Sequence, residues 1–315
     1  MTPPLPRLDD IRSARDTIAG TAVRTPLLRL QGAPSSPEIY VKLENLQPIG
    51  SFKIRGAANA ILRLSKEELS RGVWTASAGN MAQGAAWCAR SLGIPCSVVA
   101  PETAPWAKIE AIEALGARLV LVPFERWWQT FQERTFPGIE GAFIHAFDDP
   151  LVMAGNGTIG LEVLEDLPDV DAVVIPWGGG GLTCGIASAV RALKPSCRIY
   201  AAEVATAAPL AASLAAGEPR SVDHQPSFVD GIGGKAVFPA MFERARTLVD
   251  GSLVATLDEV GNALRLLLTK NRVLAEGAGA TPVACAVKGA AGSGKIVCVV
   301  SGGNIDVSRL TEILG

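Results

Sequence analysis

Short runs of β-branched and other apolar residues alternate with Ala-rich stretches of helical character through most of this chain. That alternation constrains the fold more than any single motif. The runs at 40–43, 97–100, 118–122, 172–175, 199–201 and 296–300 read as strands, and 51–64, 81–92, 104–115 and 182–193 as helices. Strand and helix in regular succession build βαβ units, and therefore a mostly parallel sheet with helices on both faces. Several runs, such as the one at 172–175, are apolar at every position, as strands buried on both sides must be. At 315 residues the chain is long enough for one large domain or two of ordinary size. No internal repeat or low-complexity linker divides it, and no appended regulatory domain is expected.

Open α/β sheets collect their ligands in the turns that follow the strands. The clearest such turn is the apolar run at 173–177, which leads into Gly178, Gly179, Gly180 and Gly181 and then Leu182 and Thr183. Without Cβ atoms, successive backbone N–H groups can converge on an anion at the positive end of a helix, and a phosphate is the natural occupant. A flexible turn would not need four glycines in succession. The dinucleotide pattern GxGxxG cannot be placed here, because one required glycine is missing in every frame. A GxxxxGK string from Gly289 to Lys295 also fails, since Ile296 stands where a P-loop needs Ser or Thr and a strand follows in place of a helix.

A lysine supplies the second candidate. Residues 44–56 run Glu-Asn-Leu-Gln-Pro-Ile-Gly-Ser-Phe-Lys-Ile-Arg-Gly, so Ser51 is a plausible N-cap and Lys53 falls in the first turn of a helix. The positive helix end disfavours an ammonium there and favours the nucleophilic amine that a Schiff base requires. Most first-turn lysines are solvated surface residues, but this one follows an aromatic residue and a Pro/Gly turn with little other charge nearby.

Composition narrows the chemistry further. A net charge of −2 with no basic run gives no reason to expect nucleic acid or an anionic membrane as partner. The N-terminal residues lack an apolar signal core, and no apolar stretch has the length of a membrane span. The six cysteines include no CxxC pair and read as buried, reduced thiols in a cytoplasmic protein. Two histidines, His145 and His224, leave little material for a zinc site or a His-dependent triad, so no metal is expected.

Taken together, the segments resemble fold type II pyridoxal-phosphate enzymes, the group of threonine dehydratase, serine racemase and cysteine synthase. The lysine segment is similar to the cofactor-lysine motif, and three others match in order and spacing. These are Ser77-Ala78-Gly79-Asn80-Met81-Ala82-Gln83-Gly84 for the substrate-carboxylate loop, Gly178 to Gly181 for the phosphate loop, and Ser301-Gly302-Gly303-Asn304 for the turn facing the pyridine nitrogen. The resemblance covers nearly the whole chain. It implies pyridoxal 5'-phosphate carried as a Schiff base by Lys53, which would later move the Cα proton. Phe52 would pack on the ring, Asn80 would bond its 3-oxygen, and Gly178, Gly179, Gly180, Gly181 and Leu182 would hold the phosphate. Ser301 would meet the ring nitrogen, and Glu276 matches a glutamate near the cofactor. Ser77, Ala78, Gly79, Asn80, Met81 and Gln83 would form the substrate loop. A neutral hydroxyl opposite the ring nitrogen leaves it largely unprotonated, a moderate electron sink that favours prompt loss of a β-leaving group.

The implied architecture is tryptophan synthase β-like, with two open, twisted, parallel-sheet α/β domains. Residues 1–68 and 149–315 would form the large cofactor-binding domain, and 69–148 the small domain carrying the substrate loop and closing on substrate. The implied reaction is dehydration of a β-hydroxy-L-amino acid to a 2-oxo acid and ammonia, by a homodimer. Racemisation or β-replacement on the same cofactor is the rival enzyme reading, and a non-catalytic nucleotide- or cofactor-binding protein the rival outside enzymes. Departures from the family sharpen the picture. Ala78 stands where serine racemases carry a serine, so racemisation is expected to be weak or absent. Met81 replaces a usual histidine, and Trp177 is also unusual, which raises the option of an apolar pocket for a bulkier substrate such as phenylserine. Trp127 and Trp128 fit ordinary helix packing better. A cation site known in some relatives would need a carboxylate at Pro209 to accompany Glu203. Asp230 and Gly231 match a turn that shapes backbone beside the cofactor.

Overall fold

The computed structural model describes residues 4–33, 35–104 and 106–315. Residues 1–3, 34 and 105, which belong to the expected N-terminal segment and the expected 104–115 helix, lie outside the described residues. The strands are β1 (Leu27–Arg29), β2 (Glu38–Leu43), β3 (Val73–Ala76), β4 (Cys96–Pro101), β5 (Arg118–Val122), β6 (Ala142–Phe143), β7 (Ala172–Pro176), β8 (Arg198–Val204), β9 (Gly251–Ala255) and β10 (Lys295–Val300). They form a six-stranded sheet in the order β1-β2-β10-β7-β8-β9 and a four-stranded sheet in the order β5-β4-β3-β6. Among the strand ladders of the described residues, the edge pair β1–β2 is antiparallel and the others are parallel. The α/β class and parallel sheets expected from the alternation are therefore what the chain forms.

Strand β7 shows why its residues are apolar throughout. Ala172 and Val174 pack with Ala280 and Val283 of the Gly277–Val287 helix on one face. Val173 and Ile175 pack on the other face with Ile159 of the Pro150–Asp166 helix and Ile186 of the Gly181–Leu193 helix. A side-chain period of two sends alternate residues to opposite faces, and here both faces are covered. Each fully buried Val or Ile contributes about 1.5–3 kcal/mol relative to an exposed one.

The lysine helix is shorter than expected and starts differently. It spans Lys53–Ile61, and its cap residue, Phe52, makes no side-chain cap hydrogen bond. Ser51 is not the N-cap. Its Oγ is buried and has no partner among the described residues. The backbone on either side is claimed by the turn after β10, with Phe52 N–H donating to Ser301 O at 3.0 Å and Gly303 N–H donating to Gly50 O at 2.9 Å. This pairing holds the lysine turn against the strand end and takes Ser51 out of capping geometry.

Two glycines let the lysine helix cross the Pro150–Asp166 helix at close range. A Cβ on Gly155 would stand 2.3 Å from Arg55 O, and one on Gly56 would stand 2.7 Å from Val152 Cγ1. Below the crossing lies a buried charge cluster. Arg55 donates to Glu44 through Nε at 2.8 Å and to Glu162 through Nη1 at 2.6 Å, and Lys42 donates to Glu162 at 2.5 Å. Two cations and two carboxylates balance there, with Thr25 and Thr158 completing the hydrogen bonds.

Candidate active site

Lys53 emerges where the two sheets meet. Its Nζ donates to the backbone oxygen of Ala146 at 2.7 Å and lies 5.1 Å from the centre of the Phe52 ring. Burial lowers its pKa to about 8, and the charge of Glu276 opposes the shift. The sequence pointed to the helix end as the reason for a reactive amine; loss of water around the ammonium is the larger cause.

Glu276 is near enough for its charge to act on Lys53. Burial raises its pKa to about 7, against the hydrogen bond from Asn80. Asn80 Nδ2 donates to both carboxylate oxygens, at 3.1 and 3.3 Å. Asn80 Oδ1 in turn accepts from Asn304 Nδ2 at 2.8 Å, and that amide also donates to Ile49 O at 2.9 Å and to Gln83 Oε1 at 3.4 Å. Asn304 thus ties the Asn80–Leu92 helix of the four-stranded layer to the lysine turn of the six-stranded layer.

The glycine turn sits between β7 and the Gly181–Leu193 helix. Gly180 has φ +91°, a conformation that L side chains rarely adopt. A Cβ on Gly179 would lie 2.0 Å from the Phe147 ring, and one on Gly181 would lie 2.7 Å from Phe147 O. The N–H groups of Gly178, Gly179, Gly180, Gly181 and Leu182 meet no acceptor among the described residues. Free donors at a helix N-terminus, a Cβ-free cradle and a lysine amine whose pKa is lowered to about 8 fit a phosphorylated aldehyde.

Most residues singled out from the sequence converge here. Ser301 is buried and its carbonyl holds Phe52, placing it beside the lysine turn. Ser77, Ala78 and Gly79 form the loop between β3 and the Asn80–Leu92 helix, with Gly79 N–H donating to Ser77 Oγ at 3.2 Å. Gly231 lies against Glu276 and Ala278, as a turn shaping backbone would.

Other side chains turn away from the cleft or lie outside it. Met81 and Trp177 are fully buried, Met81 among small residues of the lysine and Asn80–Leu92 helices and Trp177 beneath Gly180. Trp127 and Trp128 belong to an aromatic cluster with Phe131. The Glu203 carboxylate accepts from the N–H groups of Leu210 and Ala211 at 2.8 and 2.7 Å and from Ser252 Oγ at 2.6 Å, so it caps the Pro209–Ala216 helix.

The sequence assigns no role to Asn304, although it ends the turn of residues 301–304, and none to the turn of residues 145–148. A histidine followed by Asp148, Asp149 and Pro150 signals a helix start. Its contact with a lysine 93 positions away carries no sequence signal.

A lysine and a phosphate cradle between two parallel α/β layers define a pyridoxal-phosphate enzyme of fold type II. The family model described as pyridoxal-phosphate dependent enzyme matches residues 18–302, and the chain belongs to that family. It is 41% identical to an L-threonine ammonia-lyase of Thermotoga maritima, over 98% of this chain and 78% of that protein. Among solved structures, maize serine racemase superposes with a TM-score of 0.88 at 32% identity, covering 98% of this chain and 97% of that one. The processed form of threonine deaminase isoform 2 from Solanum lycopersicum superposes with a TM-score of 0.84 at 31% identity, covering 97% of this chain and 93% of that one.

Proposed function

We propose that this chain is a pyridoxal-phosphate-dependent dehydratase that converts L-threonine or L-serine into the 2-oxo acid and ammonia. The observation that carries the reading is Lys53, a lysine whose amine rests on a neutral carbonyl, with a pKa near 8 and no carboxylate bonded to it. Such an amine can both carry the cofactor and take a proton from Cα. When bound, the cofactor supplies an electron sink for the electrons released at Cα. Around it, Phe52 would pack against the ring, Asn80 would donate toward its 3-oxygen and Ser301 would offer a neutral hydroxyl to its nitrogen. Gly178 to Leu182 would hold the phosphate, and Glu276 would lie beside the ring. Ser77, Ala78, Gly79, Asn80, Met81 and Gln83 form the loop that takes the substrate carboxylate.

Ala78 has no hydroxyl to exchange a proton on the second face of Cα, which supports elimination over racemisation. A bulkier substrate such as phenylserine is the alternative specificity. The complete burial of Met81 and Trp177 argues against it, because neither side chain adds apolar surface to the cleft. A small domain of residues 69–148 that closes on a large domain of 1–68 and 149–315, in a cytoplasmic homodimer, belongs to the same proposal. The net charge of −2 and six buried, unpaired cysteines support a small amino acid as partner in a reducing compartment, with neither nucleic acid nor membrane.

The test is oxo-acid release from L-threonine, L-serine and L-threo-3-phenylserine by the purified chain, with Lys53→Ala as control. Release from the first two should fall about a thousandfold or more in the control, as expected when a group acting as both nucleophile and base is removed. No release by protein that has bound pyridoxal phosphate would end the dehydratase reading in favour of racemisation or β-replacement. Faster release from phenylserine would overturn the preference for small side chains.

A further inference from the structure

The turn between β6 and the Pro150–Asp166 helix touches the site at successive residues. Ala146 O accepts from Lys53 Nζ at 2.7 Å. The Phe147 ring fills the space in front of Gly179, and its carbonyl oxygen faces Gly181. Asp148 accepts from Arg244 Nη1 and Arg134 Nη2, each at 2.6 Å. One side chain sets the shape of all three residues. His145 Nδ1 accepts from the N–H of Phe147 at 3.2 Å and from the N–H of Asp148 at 2.8 Å, which closes the turn back on itself. The imidazole is 3% exposed and is boxed by Phe131 at 4.6 Å, Phe147 at 4.8 Å and Phe143 at 5.8 Å, the last two edge-on.

We propose that His145 is the positioning residue for the cofactor lysine: by accepting two backbone N–H groups on Nδ1, it fixes the Ala146 carbonyl that docks Lys53 and the Phe147 backbone that braces the glycine turn. An acceptor that takes two N–H donors on one nitrogen must leave that nitrogen unprotonated, so the ring is neutral with its proton on Nε2. Burial keeps it so, lowering the pKa to about 3 with help from the charge of Arg134 and against that of Asp148. His145 therefore does not titrate in the working range and is neither acid nor base in the reaction. Its role is to keep the lysine amine on a neutral acceptor, so that the amine has a fixed place whenever it is not bonded to the cofactor. Losing that acceptor would strand two backbone N–H groups inside an aromatic box, and the turn would have to rearrange to satisfy them.

This inference rests on Lys53 being the cofactor lysine, and the experiment separates the two ideas. His145→Phe keeps the ring volume and removes the acceptor, whereas His145→Asn places an amide oxygen where Nδ1 stood. Pyridoxal phosphate is titrated into the full chain and into each variant, and the visible absorption of bound cofactor and its pH midpoint are followed. Thermal unfolding is recorded alongside. His145→Phe should weaken cofactor binding at least tenfold and move the midpoint, while His145→Asn should stay within about threefold of the parent. Parent-like binding and midpoint in His145→Phe would overturn the proposal, and so would equal losses in both variants. A visible band that survives Lys53→Ala would overturn the assignment of the lysine and this proposal with it. A band lost in Lys53→Ala but untouched in His145→Phe would remove this proposal alone. Long-range proton–nitrogen spectra of the unmutated chain give an answer that needs no variant to fold: Nδ1 of His145 found protonated at pH 7 overturns the proposal.

Discussion

Lys53 and Arg55 are two residues apart on one helix, and the fold treats them in opposite ways. Arg55 points into the layer below, where burial works against its charge but Glu44 and Glu162 outweigh that and hold it charged. Glu44 follows the same balance: burial works to raise its pKa, Arg55 overrides, and the net shift is downward. Lys53 points the other way, toward a backbone carbonyl, and burial prevails, taking its pKa down to about 8. Its counterpart Glu276 is buried without a cation bonded to it, and its pKa rises to about 7. Ion pairing is thus complete in the scaffold and withheld at the site. Paired charges fix a helix in place; unpaired buried groups have pKa values drawn toward 7 and can exchange protons.

Breaking the scaffold side should give the largest effect on stability. Arg55→Met removes the partner of two buried carboxylates and leaves Lys42 alone against both, and about 3–5 kcal/mol of unfolding free energy should be lost. Urea denaturation measures it. A loss below about 1 kcal/mol would mean that water or local relaxation already screens the cluster, and the contrast with Lys53 would collapse.

The site side should respond with the opposite sign. Unfolded Glu276 keeps its proton up to the ordinary value of 4.5, whereas the folded chain keeps it up to about 7. Between those values the native state binds more protons, so this group lowers stability as pH rises from 4.5 to 7, and its cost is complete above 7. Glu276→Gln keeps an acceptor for Asn80 and removes the titration. The variant should match the parent near pH 4 and exceed it by about 1–2 kcal/mol at pH 8, while turnover falls. Denaturation midpoints at several pH values decide it, and a difference that does not depend on pH would show that Glu276 is not held near neutrality by burial.

The same contrast explains what could be read in advance. The strand runs, the glycine turn and the first-turn lysine were legible because they depend on local periodicity and on residue types with few other uses. The scaffold charges were not. Arg55, Glu44 and Glu162 carry no mark that distinguishes buried pairing from an exposed face, because their partners lie up to 120 positions apart. Ser51 looked like a cap because capping is a local rule, and a backbone pairing with residues 301–303 overrode it. Trp177 and Met81 looked like pocket residues because composition alone does not say which side of a turn faces the cleft.

A third charged pair lies between these extremes and should give the smallest effect. Lys108 Nζ of the Trp106–Ala114 helix donates to Asp230 Oδ2 at 2.5 Å, with the side chains 28% and 53% exposed. It joins the four-stranded layer to the turn beside Glu276, whose charge both residues influence. An exposed pair of this kind contributes only about 0.2–1 kcal/mol and weakens with salt. Asp230→Asn should therefore leave unfolding within about 0.5 kcal/mol of the parent. Its effect should appear in substrate binding, because the pair spans the gap between the layers: KM should rise a few-fold with kcat little changed. Added salt should raise KM in the parent and not in the variant. A KM unaffected by both the substitution and the salt would show that the Lys108–Asp230 pair plays no part in substrate binding, and leave Asn80 and Asn304 as ties between the layers at the site.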